Sequence, residues 1–347
     1  MKLFIVKLFS VLLIFSSCSR VKLEKFDSFN KYEQLTGKII GTDDKYKRAI
    51  LHYHDSLLLL TNTPENKYQL HIYDNEYNKL KSDIEIGNGP GQLINPFIAK
   101  INDRDKFLYY MDMARRKIFK YNIDSLIRND NYYTKDFIKT PKRTRAIVDF
   151  NIVNDSTNSF LDFESNDNLI SFFSSNGKRK DYAVRDKIKM YDKVEELNGH
   201  PIATYGYDKH PTKNLYCIVY RFSDVVAIVD EAGNVYNAIQ GPDNINQKPN
   251  RRDRSIVTTY TNVKCDSNYI YCLYKKRGKE FTQRNKNEYY GAKALHIFDW
   301  EGTPVACVDF DYSVFSYVIN KRENKIITMS TDNGELIEYH FNFNTLL

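Results

Sequence analysis

The chain has 347 residues, of which 14% are aromatic and 27% charged, and a formal net charge of +7. That length can bury a large core and fits one extended β domain. The weak positive balance lacks the strong basic bias of an obligate nucleic-acid binder. Tyr and Phe, at 27 and 21 against a single Trp, favour strands together with Val and Ile. Gly and Pro, at 14 and 9, are few, so the turns must also draw on Asn and Asp.

Lys2 and Lys7 lead into an apolar run over residues 8–15, and Ser16 and Ser17 then precede Cys18. This is a charged start, a short apolar core and a small-residue cleavage site. The run is too short to span a bilayer, which takes about 20 apolar residues. A cysteine directly after small residues resembles the bacterial lipoprotein signal, although Phe15 stands where that family usually has Leu. The resemblance implies cleavage before Cys18 and lipidation of that residue. An ordinary secretory signal with an incidental cysteine is the alternative. The expected organisation is a signal peptide over 1–17, a lipidated cysteine and tether over 18–30, and one domain over 31–347. No second apolar run is long enough to span, so the expected address is the cell envelope, lipid-anchored at the outer membrane and facing the periplasm or the surface. Loss of the leader leaves a net charge of +5, with 49 basic against 44 acidic residues.

Further along, one unit recurs: an apolar strand, a turn rich in Asp, Asn and Gly, and an alternating strand. Residues 70–74 turn through 75–78 into 80–86. A weaker copy runs over 118–123 and turns near Asp124 and Ser125. Residues 169–173 turn at 174–177, 225–230 turn at 231–234 into 235–239, and 295–299 turn at 300–302 into 305–310. These are hairpins, spaced by roughly 50 to 70 residues as in propeller blades. Short helices are expected near 124–128 and 186–197, without a βαβ pattern. The remainder, 314–320, 325–330 and 335–343, makes three strands, and residues 32–40 can supply a fourth. The expected fold is therefore all-β: a six-bladed β-propeller of four-stranded antiparallel blades, its ring closed by strands from both chain ends. Five or seven blades stay open, because residues 181–210 do not divide cleanly.

Between the first two units lies a turn built on Gly87, Gly89, Pro90 and Gly91, followed by Gln92 and then Asn95, Pro96 and Phe97. Glycine tolerates φ > 0 and proline fixes φ, so this is a structural turn at a blade seam. A phosphate loop is excluded, since no Gly-Lys-Ser/Thr follows and Pro96 blocks the helix that would hold the phosphate. Gly-x-Gly-Pro-Gly-Gln after an alternating strand, with Asn-Pro-Phe beyond it, resembles the signature of NHL-like and TolB-like six-bladed propellers. With the lipoprotein-like start, the chain resembles the TolB-like propeller lipoproteins common in Bacteroidota. That resemblance implies an exported binding or scaffold protein with no agreed reaction.

Chemistry-bearing motifs are sparse. Cys217, Cys265, Cys272 and Cys307 show neither CxxC nor metal spacing. They read as buried small hydrophobes, or as a Cys265–Cys272 bridge across neighbouring strands. No Gly-x-Ser-x-Gly and no His-Glu-x-x-His is present. His52 and His54 share one face of a strand but lack a third ligand. Scattered carboxylates leave open a hydrolase or lyase acting on a glycan or peptide at the central channel. No catalytic residue, metal or cofactor is assigned.

Basic loops give a sharper expectation. Arg115, Arg116, Arg145, Arg221 and Arg251 fall on loops expected at one propeller face, beside a long loop over 275–290 that could act as a lid. Arginine forks suit an anionic ligand: an acidic glycan, a phosphate-bearing molecule or an acidic peptide. Solvated surface is the plainer reading of the same loops. The leading function is a membrane-anchored, monomeric binding or scaffold propeller for an anionic glycan or a protein partner, and not for nucleic acid. A third class is an assembly part that works through its outer sides, betrayed by an exposed apolar patch.

Overall fold

Strands such as Leu-Leu-Leu-Leu-Thr at 57–61 and Tyr-Ile-Tyr-Cys-Leu-Tyr at 269–274 are apolar at nearly every position, which requires burial on both faces. The computed structural model shows how this arises. It describes residues 23–40, 49–61, 67–102, 106–130, 132–140, 147–154, 157–162, 169–174, 179–183, 204–245, 258–275 and 291–346.

Three short N-terminal strands, β1 (Glu24–Lys25), β2 (Lys31–Leu35) and β3 (Lys38–Ile40), precede a series of antiparallel meanders. The first is β4 (Ile50–His54), β5 (Leu57–Thr61), β6 (Tyr68–Tyr73) and β7 (Lys79–Glu85). The second is β8 (Pro96–Asn102), β9 (Phe107–Asp112), β10 (Lys117–Asn122) and β11 (Phe137–Lys139). The third is β12 (Ile147–Asn154), β13 (Thr157–Asp162), β14 (Leu169–Ser174) and β15 (Arg179–Ala183). The fourth is β16 (Thr204–Lys209), β17 (Leu215–Tyr220), β18 (Val225–Asp230) and β19 (Val235–Gln240). An eight-stranded sheet follows, with β20 (Tyr260–Cys265), β21 (Tyr269–Tyr274), β22 (Ala292–Asp299), β23 (Pro304–Asn320), β24 (Lys325–Ser330), β25 (Leu336–His340) and β3 in order, and β2 attached to β23.

The sheets stand face to face in a propeller-like arrangement. The first strands of successive sheets are neighbours: β4 touches β8, β8 touches β12, β12 touches β16 and β16 touches β20, while β23 of the last sheet touches β4. The second and third strands, such as β5, β6, β17 and β21, are sandwiched and almost wholly buried. Outer strands such as β7, Lys-Leu-Lys-Ser-Asp-Ile-Glu, are mostly half-buried, with Lys79 and Leu80 exposed, and an exposed edge lysine discourages pairing with another chain.

Three hairpin turns share one chemistry. The side-chain oxygen of Asp74 accepts from the amides of Glu76 and Asn78 at 2.9 and 2.8 Å. Asp230 does the same for Ala232 and Asn234, both at 2.8 Å, and Asp299 for Glu301 and Thr303 at 3.1 and 2.6 Å. The residue three places after each aspartate is left-handed, with φ of 66° at Tyr77, 68° at Gly233 and 90° at Gly302. Aspartate thus substitutes its carboxylate for a backbone acceptor and fixes the reversal.

Several details differ from the sequence expectation. The weak hairpin at 118–123 is no tight turn; instead the short helix expected near 124–128 is present as α1 (Ile123–Arg128), inserted between β10 and β11. Asn122 caps it by accepting from Ser125 N at 2.8 Å. The stretches expected as separate strands at 305–310 and 314–320 are one strand, β23, whose first part pairs with β22 and whose second part pairs with β24. No glycine or proline stands between them to end the strand. The segment expected as part of the tether is seated from Leu23 onward. There β1 adds in parallel to β19, and Phe29 is buried between sheets with Phe26 and Phe298 at 4.9 and 5.6 Å. Within residues 32–40, β2 pairs in parallel with β23, and β3 pairs antiparallel with β25 as the fourth strand beside it. Residues 186–197, expected to be helical, lie outside the described residues.

Candidate functional site

Strands β4, β8, β12, β16, β20 and the second part of β23 converge on a cavity of about 850 Å³, which their side chains line. Apolar residues such as Ile50, Ile98, Ile152 and Phe315 form part of its wall. Its basic side chains are Lys100, Lys209, Arg221, Lys264 and Lys321, against Asp149, Asp208 and Asp266.

Lys100 is the centre of this polar lining. Its ammonium lies 3.2 Å from Asp149 and 3.9 Å from Asp208, which bind it from β12 and β16. Burial works against the Lys100 charge, but Asp149 and then Asp208 outweigh it and hold its pKa above the ordinary lysine value. Burial is also the largest influence on Asp149 and raises its pKa, while Lys100 opposes the rise. Asp208 accepts from the amide of Cys265 at 2.8 Å, so its carboxylate is anchored to β20 as well. Lys264 donates to the carbonyl of Leu51 at 2.6 Å. His52, beside it, is pushed well below the ordinary histidine value by burial first and then by Lys264 and Lys100. It is therefore a neutral imidazole, bonded to the Thr61 hydroxyl at 3.1 Å. The arrangement offers fixed charges and hydrogen-bonding groups to a ligand in a partly apolar enclosure, the usual make-up of a small-molecule site.

Three of the five loop arginines, Arg115, Arg116 and Arg221, fall within the described residues. Arg115 is turned onto the glycine seam, donating to the carbonyl of Gln92 and to that of Gly87 at 3.5 Å, with Asp112 3.7 Å away. Asp112 in turn accepts from the amides of Ile94 and Arg115 at 2.9 and 3.1 Å. The seam itself is closed by Gly87 N to Leu93 O at 2.9 Å and by Gly89 N to the Gln92 side chain at 2.8 Å. Pro90 lies in this turn, and Gly91 is left-handed at φ 76° with Tyr133 packed against it. Arg116 is exposed, and Arg221 lines the cavity. Arg145, Arg251, Cys18 and all of the 275–290 loop beyond Lys275 lie outside the described residues. His54 is close to Asp55, at 3.7 Å, while His52 faces the cavity. Among the described residues no three His, Cys, Asp or Glu side chains are grouped to hold a metal.

Sequence reasoning missed Lys100, Asp149, Asp208 and Lys264. Their signal was a charge embedded in an alternating strand at the start of a repeat unit, as in Phe-Ile-Ala-Lys-Ile or Tyr-Gly-Tyr-Asp.

The sheet arrangement defines an all-β, propeller-like protein. No protein-family model and no curated protein matches the sequence. Among solved structures, the chain is similar to a member of the DUF4221 family from Bacteroides vulgatus ATCC 8482, with a TM-score of 0.59, 13% identity and coverage of 89% of this chain and 96% of that one. It is also similar to a candidate exported protein from Bacteroides fragilis NCTC 9343, with a TM-score of 0.51, 10% identity and coverage of 92% and 98%. A lower TM-score of 0.47, at 8% identity, relates it to the β-propeller domain of Swd1 from Myceliophthora thermophila, with coverage of 87% and 99%. At these identities the likeness is one of fold. No helix among the described residues is long and apolar enough to cross a membrane.

Proposed function

We propose that the protein is an exported six-bladed propeller, related to the TolB-like lipoproteins, that binds an anionic ligand in its central cavity. The blade count rests on dividing the eight-stranded sheet where the pairing of β23 passes from β22 to β24, which gives a sixth group of β23, β24, β25 and β3. In this reading the pairing of β3 with β25 closes the ring, and Cys18 carries a lipid that holds the protein at the outer membrane. Export is supported by the likeness to a candidate exported protein.

The carrying observation is the cavity lining, in which five basic side chains outnumber three acidic ones around the Lys100–Asp149–Asp208 cluster. This relocates the anion site from the loop face to the channel and keeps Arg221 as one of its anchors. Binding is favoured over hydrolysis because Lys100 lies against both carboxylates and balances charge that a general acid and base would need to divide between them.

Calorimetric titration with uronic-acid oligosaccharides and their neutral counterparts tests the reading. Binding of the acidic sugars alone, weakened about tenfold by Arg221→Gln or Lys264→Gln, is the expected result. Equal binding of neutral sugars, or no binding of either, sinks it.

A further inference from the structure

Three thiols meet where the fourth sheet packs on the eight-stranded one. Cys217 lies on β17, Cys265 on β20 and Cys272 on β21, and β17 and β20 are in contact. Cys217 and Cys272 are buried in one apolar cluster, and Cys265 packs against it. The Cys217 thiol is close enough to influence both others. Cys265 and Cys272 stand diagonally across the ladder instead, with Cys265 opposite Ile270 and Cys272 opposite Val263. Cys217 is therefore the hub, and the Cys265–Cys272 bridge expected from the sequence is the less favoured pair. The three are not grouped as a metal site. Cys265 is only half-buried and borders the central cavity, whereas Cys217 is sealed in the core.

We propose that Cys217 and Cys265 form a disulfide that joins the two sheets, made by exchange with a disulfide RSSR of an oxidising compartment. The cavity-facing Cys265 loses its proton and its sulfur attacks one sulfur of RSSR. The R–S–S–R bond breaks, and the departing thiolate takes up a proton to leave as RSH. Cys217 then loses its proton and attacks the Cys265 sulfur of the mixed disulfide, and a second RSH departs. Two protein thiols are oxidised, and one disulfide is reduced to two thiols. The order follows from access, since only Cys265 borders the cavity. Burial pushes both thiols well above the ordinary cysteine value, so exchange in the folded protein is slow and accelerates as pH rises. Cys272, within reach of Cys217, is the third thiol left reduced.

The test uses the purified full chain, reduced and then incubated at mildly alkaline pH with oxidised glutathione. Remaining thiols are alkylated in denaturant, and the peptides are mapped without reduction. The expected map links Cys217 to Cys265 and leaves Cys272 and Cys307 alkylated. Cys272→Ala keeps the link, and Cys217→Ala leaves Cys265 alkylated. Recovery of alkylated Cys217 from the oxidised wild-type protein, or of Cys217 linked to any other cysteine, overturns the proposal. Because the wild-type map decides this, poor folding of a variant does not obscure the result.

Discussion

The hydroxyl of Tyr77, in the turn between β6 and β7, donates to the carboxylate of Glu338 on β25, a partner 261 residues further along the chain. Glu338 also meets Lys325 at 3.1 Å and His340 at 3.2 Å. The first sheet is thereby fastened to the last by a partly buried, charge-assisted bond. Tyr77→Phe is expected to lower stability by about 1.5–3 kcal/mol while leaving the secondary structure intact. Chemical denaturation followed by circular dichroism reads this. A change of a few tenths of a kcal/mol shows that the fastening contributes little.

A second expectation concerns pH. Asp224 is fully buried, its Oδ2 has no hydrogen-bond partner, and burial lifts its pKa to about 7 despite the amide of Ile245 and the Gln240 side chain, with Asp243 adding to the rise. A carboxyl whose pKa is raised in the folded state favours folding most when protonated. Its contribution is complete below the unfolded value near 4 and fades as pH rises through about 7. Asp224→Asn should flatten this slope and gain up to about 4 kcal/mol relative to wild type above neutrality. Urea midpoints from pH 4 to 8 measure the difference, and parallel curves for the two proteins refute it.

Arg115 holds carbonyls of the glycine seam, so its removal should be felt in folding more than in binding. Arg115→Ala is expected to cost about 1–3 kcal/mol. Gly91→Ala should cost at least about 1 kcal/mol, because the position is left-handed and crowded by Tyr133. Thermal melts check both. Ligand affinity that falls in Arg115→Ala with an unchanged melt would return this arginine to the binding site.

Lys100→Met leaves Asp149 and Asp208 in the cavity without their shared cation. The expected loss is about 3–5 kcal/mol, partly recovered when Asp149→Asn is added, since the second change removes a stranded charge. A double-mutant cycle by urea unfolding supplies the coupling. Additive effects mean that the pair is not energetically linked.

The hairpins were legible because their signal is local. Asp74, Asp230 and Asp299 each sit at the end of an apolar run, and the turn chemistry lies within five residues. The seam at Gly87–Gly91 was legible for the same reason. The cavity was not, because Lys100, Asp149 and Asp208 come from three different sheets and only the packing of those sheets brings them together. The seam contacts of Arg115 were not legible either, because a loop arginine looks the same in sequence whether it faces water or a carbonyl. The hub thiol Cys217 was hidden likewise, since its neighbours lie on another sheet.

The N-terminal segment grips two sheets at once, with β1 running parallel to β19 and β2 parallel to β23. The same short stretch wedges Phe29 between them. A mechanical pull applied ahead of Leu23 therefore meets the β1 ladder first and the β2 ladder after it. Drawn along its axis, the five-residue β2 ladder must slide with several hydrogen bonds breaking together, where an end-on peel would break them singly. The fold thus carries its own strain relief: tension at that end is absorbed at the outer rim before it reaches the cavity.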